Sequence, residues 1–160
     1  MGAVALGFLR AAGGVGAGIT ALYLAWRPFH RRVGRMLMAA VAVFGLGTVL
    51  LGLTRQLWVA LIAMAVLMAG DMVSVYVRGT VVPMATPDVM RGRVMAVENI
   101  FIGGSNELGA WESGMAGQAF GTSAAVVGGG LVTLLVVGVW WVAFPALRNV
   151  DRFEDVTATV

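Results

Sequence analysis

Apolar residues fill five long stretches of the chain, and most polar and charged residues lie between them. Each stretch is close to or above the roughly 20 residues that an α-helix needs to cross the hydrocarbon core of a bilayer. None alternates between polar and apolar positions as a barrel strand does, so we predict helices. The stretches are residues 3–26, 36–53, 57–82, 94–118 and 123–144. The pattern predicts an all-α, polytopic membrane protein, with a bundle of five transmembrane helices in residues 1–148 and a tail in residues 149–160.

The composition agrees with a membrane protein. Apolar residues make up 59% of the chain and charged residues 12%, and the mean hydropathy is +0.89. A soluble domain carries charge at about a quarter of its positions, so we exclude a soluble enzyme and a nucleic-acid-binding protein. The chain has no cysteine and a single histidine, His30. We therefore expect no enzymatic activity, no metal site and no cofactor.

Arginine is concentrated in alternate loops. All basic residues are arginine, and the heavy use of Ala, Gly and Val beside it is typical of GC-rich bacterial genomes. The clustered arginines lie between helices one and two, between helices three and four, and after helix five: Arg27, Arg31, Arg32, Arg35, Arg91, Arg93, Arg148 and Arg152. The other two loops hold only Arg55. Because basic residues accumulate on the cytoplasmic side, we predict a multi-pass protein of the bacterial plasma (inner) membrane, with its N-terminus outside and its tail in the cytoplasm.

Ionisable residues occur inside three of the five predicted helices. They are Arg10 in the first, Asp71 and Arg78 in the third, and Glu98, Glu107 and Glu112 in the fourth. A charged side chain at the centre of a bilayer costs at least ~2.5 kcal/mol, so it usually faces a cavity or a partner. On the fourth helix Glu98, Ser105 and Glu112 stack within about 40° of one another, and Asn106 extends this polar stripe. We expect that face to lie against water or protein.

The depths of these residues along their helices suggest two ion pairs. Arg78 and Glu98 lie toward the cytoplasmic side, and Arg10 and Glu112 lie toward the outer side, so we predict that each of these pairs forms a salt bridge. Asp71 and Glu107 then remain near the midplane without a cation. They are candidates for proton coupling or for binding a cationic substrate. The alternative is that they are structural and pair with arginines outside this chain.

Glycines inside the apolar helices indicate close packing. Gly14 and Gly18 form a G-x-x-x-G step in the first helix, and Gly128, Gly129 and Gly130 are consecutive in the fifth. Small residues at such spacing allow two helix backbones to approach each other. The glycines near Gly14 do not match a phosphate-binding loop, because no lysine follows and no strand precedes them.

Three segments of the chain carry motifs, in two loops and along the fourth predicted helix, that together are similar to one family of membrane proteins. Arg31-Arg32-Val33-Gly34-Arg35 resembles the basic D-R-x-G-R loop of major facilitator superfamily transporters, with Arg31 at the acidic position. Pro87, Arg91, Gly92 and Arg93 match the P-x-x-x-R-G-R signature two helices later. The run from Phe101 to Gly109, together with Glu112-Ser113-Gly114, is similar to the enterobactin-exporter-like branch.

The resemblance implies that the five helices correspond to helices eight to twelve, in the C-terminal half of a transporter whose two halves rock around a midplane site. It implies that the first, third and fourth helices line the transport cavity. The chain opens directly into apolar sequence without a signal-peptide pattern, so we expect a missing N-terminal half as its partner, besides the lipid bilayer and a small-molecule substrate. The favoured function is proton-coupled export of a small molecule such as a drug or siderophore. The alternatives are a stand-alone five-helix membrane subunit acting as a scaffold or partner, and a half-size transporter that works as a dimer.

Overall fold

The computed structural model describes residues 3–153, and these residues are almost entirely helical. The helices are α1 (Ala3–Trp26), α2 (Val33–Leu53), α3 (Leu57–Met84), α4 (Asp88–Phe120), α5 (Thr122–Ala143) and the short α6 (Pro145–Arg148). The prediction of an all-α protein with five long helices is confirmed. The predicted tail is described only as far as Phe153, and residues 154–160 lie outside the described part.

Four helices, α1, α2, α3 and α5, are long and apolar enough to cross a membrane. The fourth predicted span, α4, is the longest helix at 33 residues. Its acidic and basic side chains make it more polar than the other four, and it is not among the helices that are apolar enough to cross a membrane. It begins at Asp88, whereas the apolar pattern placed its start at residue 94, so Arg91, Gly92 and Arg93 lie in its first turns rather than in a loop. A carboxylate in the first turn is stabilised by the helix dipole, which explains the earlier start.

The long helices pack in the spatial order α1, α3, α2, α5 and α4. Extensive contacts join α1 to α3, α3 to α2, and α2 to α5, whereas α4 packs mainly on α5 and touches α3 sparingly. No residue of α4 is buried. The best-packed part of the molecule is therefore the central pair α2 and α3, and α1 and α4 lie at the two ends of the packing order.

Glycines allow the close approaches, but in α1 they are not the glycines that the G-x-x-x-G pattern indicated. A Cβ atom at Gly16 would lie 2.8 Å from the Cα of Ala65 on α3, and one at Gly13 would lie 3.0 Å from the Cγ of Met68. Nothing in the described part of the chain lies within 4 Å of a Cβ at Gly14 or Gly18. The prediction of close packing for α1 is thus confirmed. The glycines named for it were wrong, because the side of α1 that contacts α3 is rotated by about half a helical turn from Gly14 and Gly18.

Helices α2 and α5 approach each other in the same way. A Cβ at Gly130 would lie 2.9 Å from the carbonyl oxygen of Gly45, while the Cβ positions of Gly128 and Gly129 are open. The hydroxyl of Ser123 donates a hydrogen bond to the carbonyl oxygen of Gly52, which ties the start of α5 to the end of α2. The glycine triplet therefore contributes one contact residue rather than three.

The end of the described chain folds back onto the start of α2. We call residues 150–153 the tail clasp. The N–H of Val33 donates to the carbonyl oxygen of Asp151 at 3.3 Å, and the N–H of Gly34 donates to that of Val150 at 3.1 Å. These N–H groups at a helix start have no partner within the helix. The tail clasp therefore caps α2, which has no side-chain cap of its own.

An aromatic cluster anchors the tail clasp. The ring of Phe153 lies 6.1 Å from the rings of both Phe29 and Tyr76, which lie 5.5 Å from each other. Phe153 is buried, as are its neighbours Val33 and Val77. The segment after α5 is thus packed against the connection between α1 and α2 and against α3.

Candidate functional site

A cavity of about 390 Å³ lies between α2, α3 and α5. Its ionisable lining residues, Asp71 and Arg78, both come from α3. Ser74 of α3 and Thr133 of α5 add hydroxyl groups. The rest of the wall consists of Gly70 and the apolar residues Leu37, Met38, Val41, Phe44, Val136, Val137 and Trp140. The arrangement is an apolar cavity with a few polar groups, which is the usual chemistry of a small-molecule site.

The polar groups of this cavity share one face of α3. Ser74 and Arg78 follow Asp71 by three and seven residues, which places all three side chains on the same side of a helix. Asp71 is half-buried near the middle of α3, Ser74 is buried, and Arg78 is exposed. Along the axis, Asp71 and Arg78 are about 10 Å apart, and neither forms an ion pair within residues 3–153. The acid and the base can therefore contact different parts of one bound molecule.

The sequence predicted this face of α3 but not the walls opposite it. The superfamily resemblance implied that the first, third and fourth helices enclose the site, and α1 and α4 contribute no residue to this cavity. Instead, α2 and α5 supply its apolar surface. The reason is the packing order, in which α3 lies between α1 and α2 and α4 contacts α3 only sparingly.

The polar stripe of α4 faces away from the packed helices along most of its length. Ser105, Asn106 and Glu107 are exposed, and Glu98 is half-buried. Glu112 lines a second cavity, of about 490 Å³, between α4 and α5. Within the described residues, the middle of the stripe is therefore open, while Glu98 is partly covered and Glu112 borders a cavity.

The two predicted ion pairs are not formed in the part of the chain that the structure describes. Arg78 and Glu98 are not within 4.0 Å of each other, and neither are Arg10 and Glu112. Arg10 is exposed on α1, which lies at the opposite end of the packing order from α4. Among the described residues, no three His, Asp or Glu side chains are grouped so that they could hold a metal ion.

The second loop motif joins the end of α3 to the start of α4. Arg91 forms an ion pair with Asp88 at 2.6 Å and donates from Nε to the carbonyl oxygen of Pro83 at 3.1 Å. Pro87 occupies the N-cap position of α4. Gly92 and Arg93 are exposed. Arg91 thus links the end of α3 to the first turn of α4.

The first loop motif is held by the tail clasp. Arg31 pairs with the carboxylate of Asp151, and the backbone N–H of Arg32 donates to the same carboxylate at 3.1 Å. Gly34 is buried and Arg35 is exposed at the start of α2. Sequence reasoning did not find the role of Asp151, because no local pattern in the tail marks a contact with a loop so distant along the chain.

Comparison with protein families identifies the kind of molecule that carries these features. The family model described as transmembrane secretion effector, of the major facilitator superfamily, matches residues 1–158. The chain belongs to this family. Its members are membrane transporters and not enzymes, so a lipid bilayer and a transported substrate are implied. No curated protein and no solved structure matches the chain.

Proposed function

We propose that this chain is the C-terminal part of a secondary transporter, equivalent to helices eight to twelve, that exports a small molecule such as a drug or siderophore in exchange for protons. Membership of the secretion effector family supports transport. The two arginine-rich motifs, at Arg31–Arg35 and at Pro87–Arg93, support the helix numbering. The arginine distribution supports an orientation with the N-terminus outside and the tail in the cytoplasm of a bacterium.

The observation that carries the proposal is the cavity beside α3. Asp71 and Arg78 lie on a helix that is apolar and long enough to span a membrane, where ionisable residues are costly and usually functional. Apolar side chains from α2 and α5 surround them. Such a site fits a substrate that has an apolar body and a charged or strongly polar group. We infer that Asp71 binds the coupling proton and that Arg78 contributes to substrate binding.

The exposure of α4 supports the need for further helices. Glu107, Ser105 and Asn106 would face lipid if this chain acted alone, which is unfavourable in the hydrocarbon region. We infer that a polar cavity lined by another part of the transporter covers this face in the intact protein. Glu107 is the second coupling acid in this proposal, and Arg10 and Glu112 line the outer part of the pathway.

Two measurements test the proposal. The first is the DNA sequence upstream of the Met1 codon, which should continue the reading frame through about seven more membrane helices, as a transporter with two six-helix halves requires. The second is proton-driven transport of ethidium and of enterobactin, used as probes, in liposomes that contain either the extended protein or the 160-residue chain. We expect transport by the extended protein alone. If the reading frame does not continue upstream, and the 160-residue chain does not transport either probe in liposomes, the stand-alone scaffold subunit is favoured instead.

A further inference from the structure

A small polar pocket lies where the tail clasp meets the start of α2. Its volume is about 190 Å³, and its lining residues are Arg32, Arg35, Asn149, Val150 and Asp151. Both arginines are exposed. Neither guanidinium group forms an ion pair or a hydrogen bond within residues 3–153. The pocket therefore offers two charged donor groups that no other described residue uses.

The carboxylate in the pocket is already engaged. Asp151 accepts a hydrogen bond from the backbone N–H of Arg32 at Oδ1, and its Oδ2 lies 3.5 Å from the Nε of Arg31. Within residues 3–153, the partners of this carboxylate are therefore the side chain of Arg31 and the backbone of Arg32. The amide of Asn149 adds a neutral donor. The net charge of the pocket is positive, so it favours an anion.

The backbone at Arg32 is in an unusual conformation. Arg32 has φ 58° and ψ 37°, and it is the only non-glycine residue with positive φ in the described part of the chain. The left-handed region is disfavoured for a residue that has a Cβ, because the Cβ lies too close to the following carbonyl oxygen. A glycine would avoid this cost. The chain instead holds an arginine here, and Arg32 lines the same pocket as Arg35. Strain of this kind is common at ligand sites.

We propose that this pocket binds a phosphate group, and that its source is the headgroup of an anionic phospholipid. Two guanidinium groups match the geometry of phosphate oxygens, to which arginine donates paired hydrogen bonds. The pocket adjoins the first residues of α2, which can span a membrane. Basic pockets at the ends of transmembrane helices lie at headgroup level, where they bind anionic lipids.

The position of the aromatic residues on α5 supports a lipid source. Trp140 and Phe144 lie at the end of α5 nearest to the tail clasp, with their rings 5.4 Å apart. Tryptophan and other large aromatic residues gather at the level of the lipid headgroups. A pocket at this level meets lipid phosphate at a far higher local concentration than soluble phosphate.

The test is ligand-induced stabilisation of the purified 160-residue chain in detergent micelles. The midpoint of thermal unfolding is measured against increasing short-chain phosphatidylglycerol, phosphatidylcholine with the same acyl chains, and inorganic phosphate. We expect phosphatidylglycerol to raise the midpoint, as a ligand that binds only the folded state does, and phosphatidylcholine to have no effect. Arg35→Gln should weaken the apparent phosphatidylglycerol affinity about tenfold through the loss of a charge-assisted contact. Arg93→Gln removes an exposed arginine outside the pocket and should leave the affinity unchanged.

Arg32→Gly separates binding from folding. Glycine relieves the left-handed strain, so the midpoint without lipid should stay the same or rise, while the phosphatidylglycerol affinity falls. Wild-type affinity in both Arg32→Gly and Arg35→Gln would overturn the site. If Arg93→Gln weakens the phosphatidylglycerol affinity as much as Arg35→Gln does, the lipid binds to diffuse surface charge and the pocket is not the site. Stabilisation by inorganic phosphate at the same concentrations as phosphatidylglycerol would overturn the lipid source.

Discussion

Arg31 and Asp151 form an ion pair in which Nε lies 3.5 Å from Oδ2. Arg31 occupies the position at which the D-R-x-G-R motif has its acidic residue. The tail therefore places the carboxylate of Asp151 next to a loop that has no acidic residue at this motif position. The same carboxylate also accepts a hydrogen bond from the N–H of Arg32, so Asp151 connects the tail clasp to two successive residues of the loop.

The contribution of Asp151 to stability can be measured by substitution. Asp151→Ala removes one hydrogen bond to the start of α2 and one ion pair, whose partners are 73% and 46% exposed. An ion pair that exposed contributes little because solvent screens it. The hydrogen bond is comparable to a helix cap, so we expect the free energy of unfolding to fall by about 1 kcal/mol.

Asp88→Ala is the matched control, because Asp88 pairs with Arg91 at the start of α4 without joining distant parts of the chain. Reversible unfolding in mixed micelles gives both values. An unfolding free energy of Asp151→Ala equal to that of the wild-type chain would mean that the contact of Asp151 with the loop does not stabilise the fold.

The register of α1 on α3 gives a second prediction. Gly16→Ala adds a methyl group that would lie 2.8 Å from the Cα of Ala65 and closer still to its carbonyl oxygen, and overpacking of this kind costs typically 1–3 kcal/mol. Gly18→Ala adds the same methyl group in open space and should be neutral or slightly stabilising. The unfolding midpoints of the two variants should differ clearly in this order. Equal midpoints would show that α1 packs on α3 in another rotation.

The orientation in the membrane gives a third prediction. Reporter fusions that are active only in the cytoplasm should be active after Asn149 and inactive after Gln56, since the clustered arginines favour the cytoplasmic side. Reporters active only outside should give the reverse result. Activity after Gln56 in the cytoplasmic assay would be incompatible with the assignment of the spans.

The helices could be predicted from the sequence because apolar residues persist over whole spans, whereas the rotation of each helix could not. The step from Gly14 to Gly18 has the spacing of a packing motif, but Gly13 and Gly16 contact α3. Spacing alone does not say which side of an apolar helix meets its neighbour. The polar face of α3 was predictable because Asp71 and Arg78 repeat every seven residues, which fixes a face.

Contacts between distant segments were not predictable. Phe153 and Asp151 belong to a short polar tail with no periodicity, and their partners lie near the start of α2. The predicted pairing of Arg78 with Glu98 was based on their similar depths in the membrane. Similar depth does not establish that the two helices are neighbours. The sparing contact between α3 and α4 explains why that pair is absent from the described residues.

The fourth prediction concerns Asp71 and Glu107 as the coupling acids of the intact transporter. Each can bind a proton as a carboxylate and release it, and neither forms an ion pair within residues 3–153. Asp71→Asn and Glu107→Gln keep the size of the side chain but cannot change protonation. We expect each variant to lose transport that is driven by a pH gradient. Exchange of substrate across the membrane without a gradient should continue, because it needs no net proton movement.

The most direct test of the account compares these two modes of transport in liposomes that contain the intact transporter. The probe is whichever of ethidium or enterobactin the wild-type protein transports, and Asp88→Asn serves as a control at an exposed acid outside the proposed site. The account predicts that Asp71→Asn and Glu107→Gln lose gradient-driven transport and keep exchange, while Asp88→Asn keeps both. Full gradient-driven rates in both Asp71→Asn and Glu107→Gln would contradict the coupling role and leave these acids as structural residues.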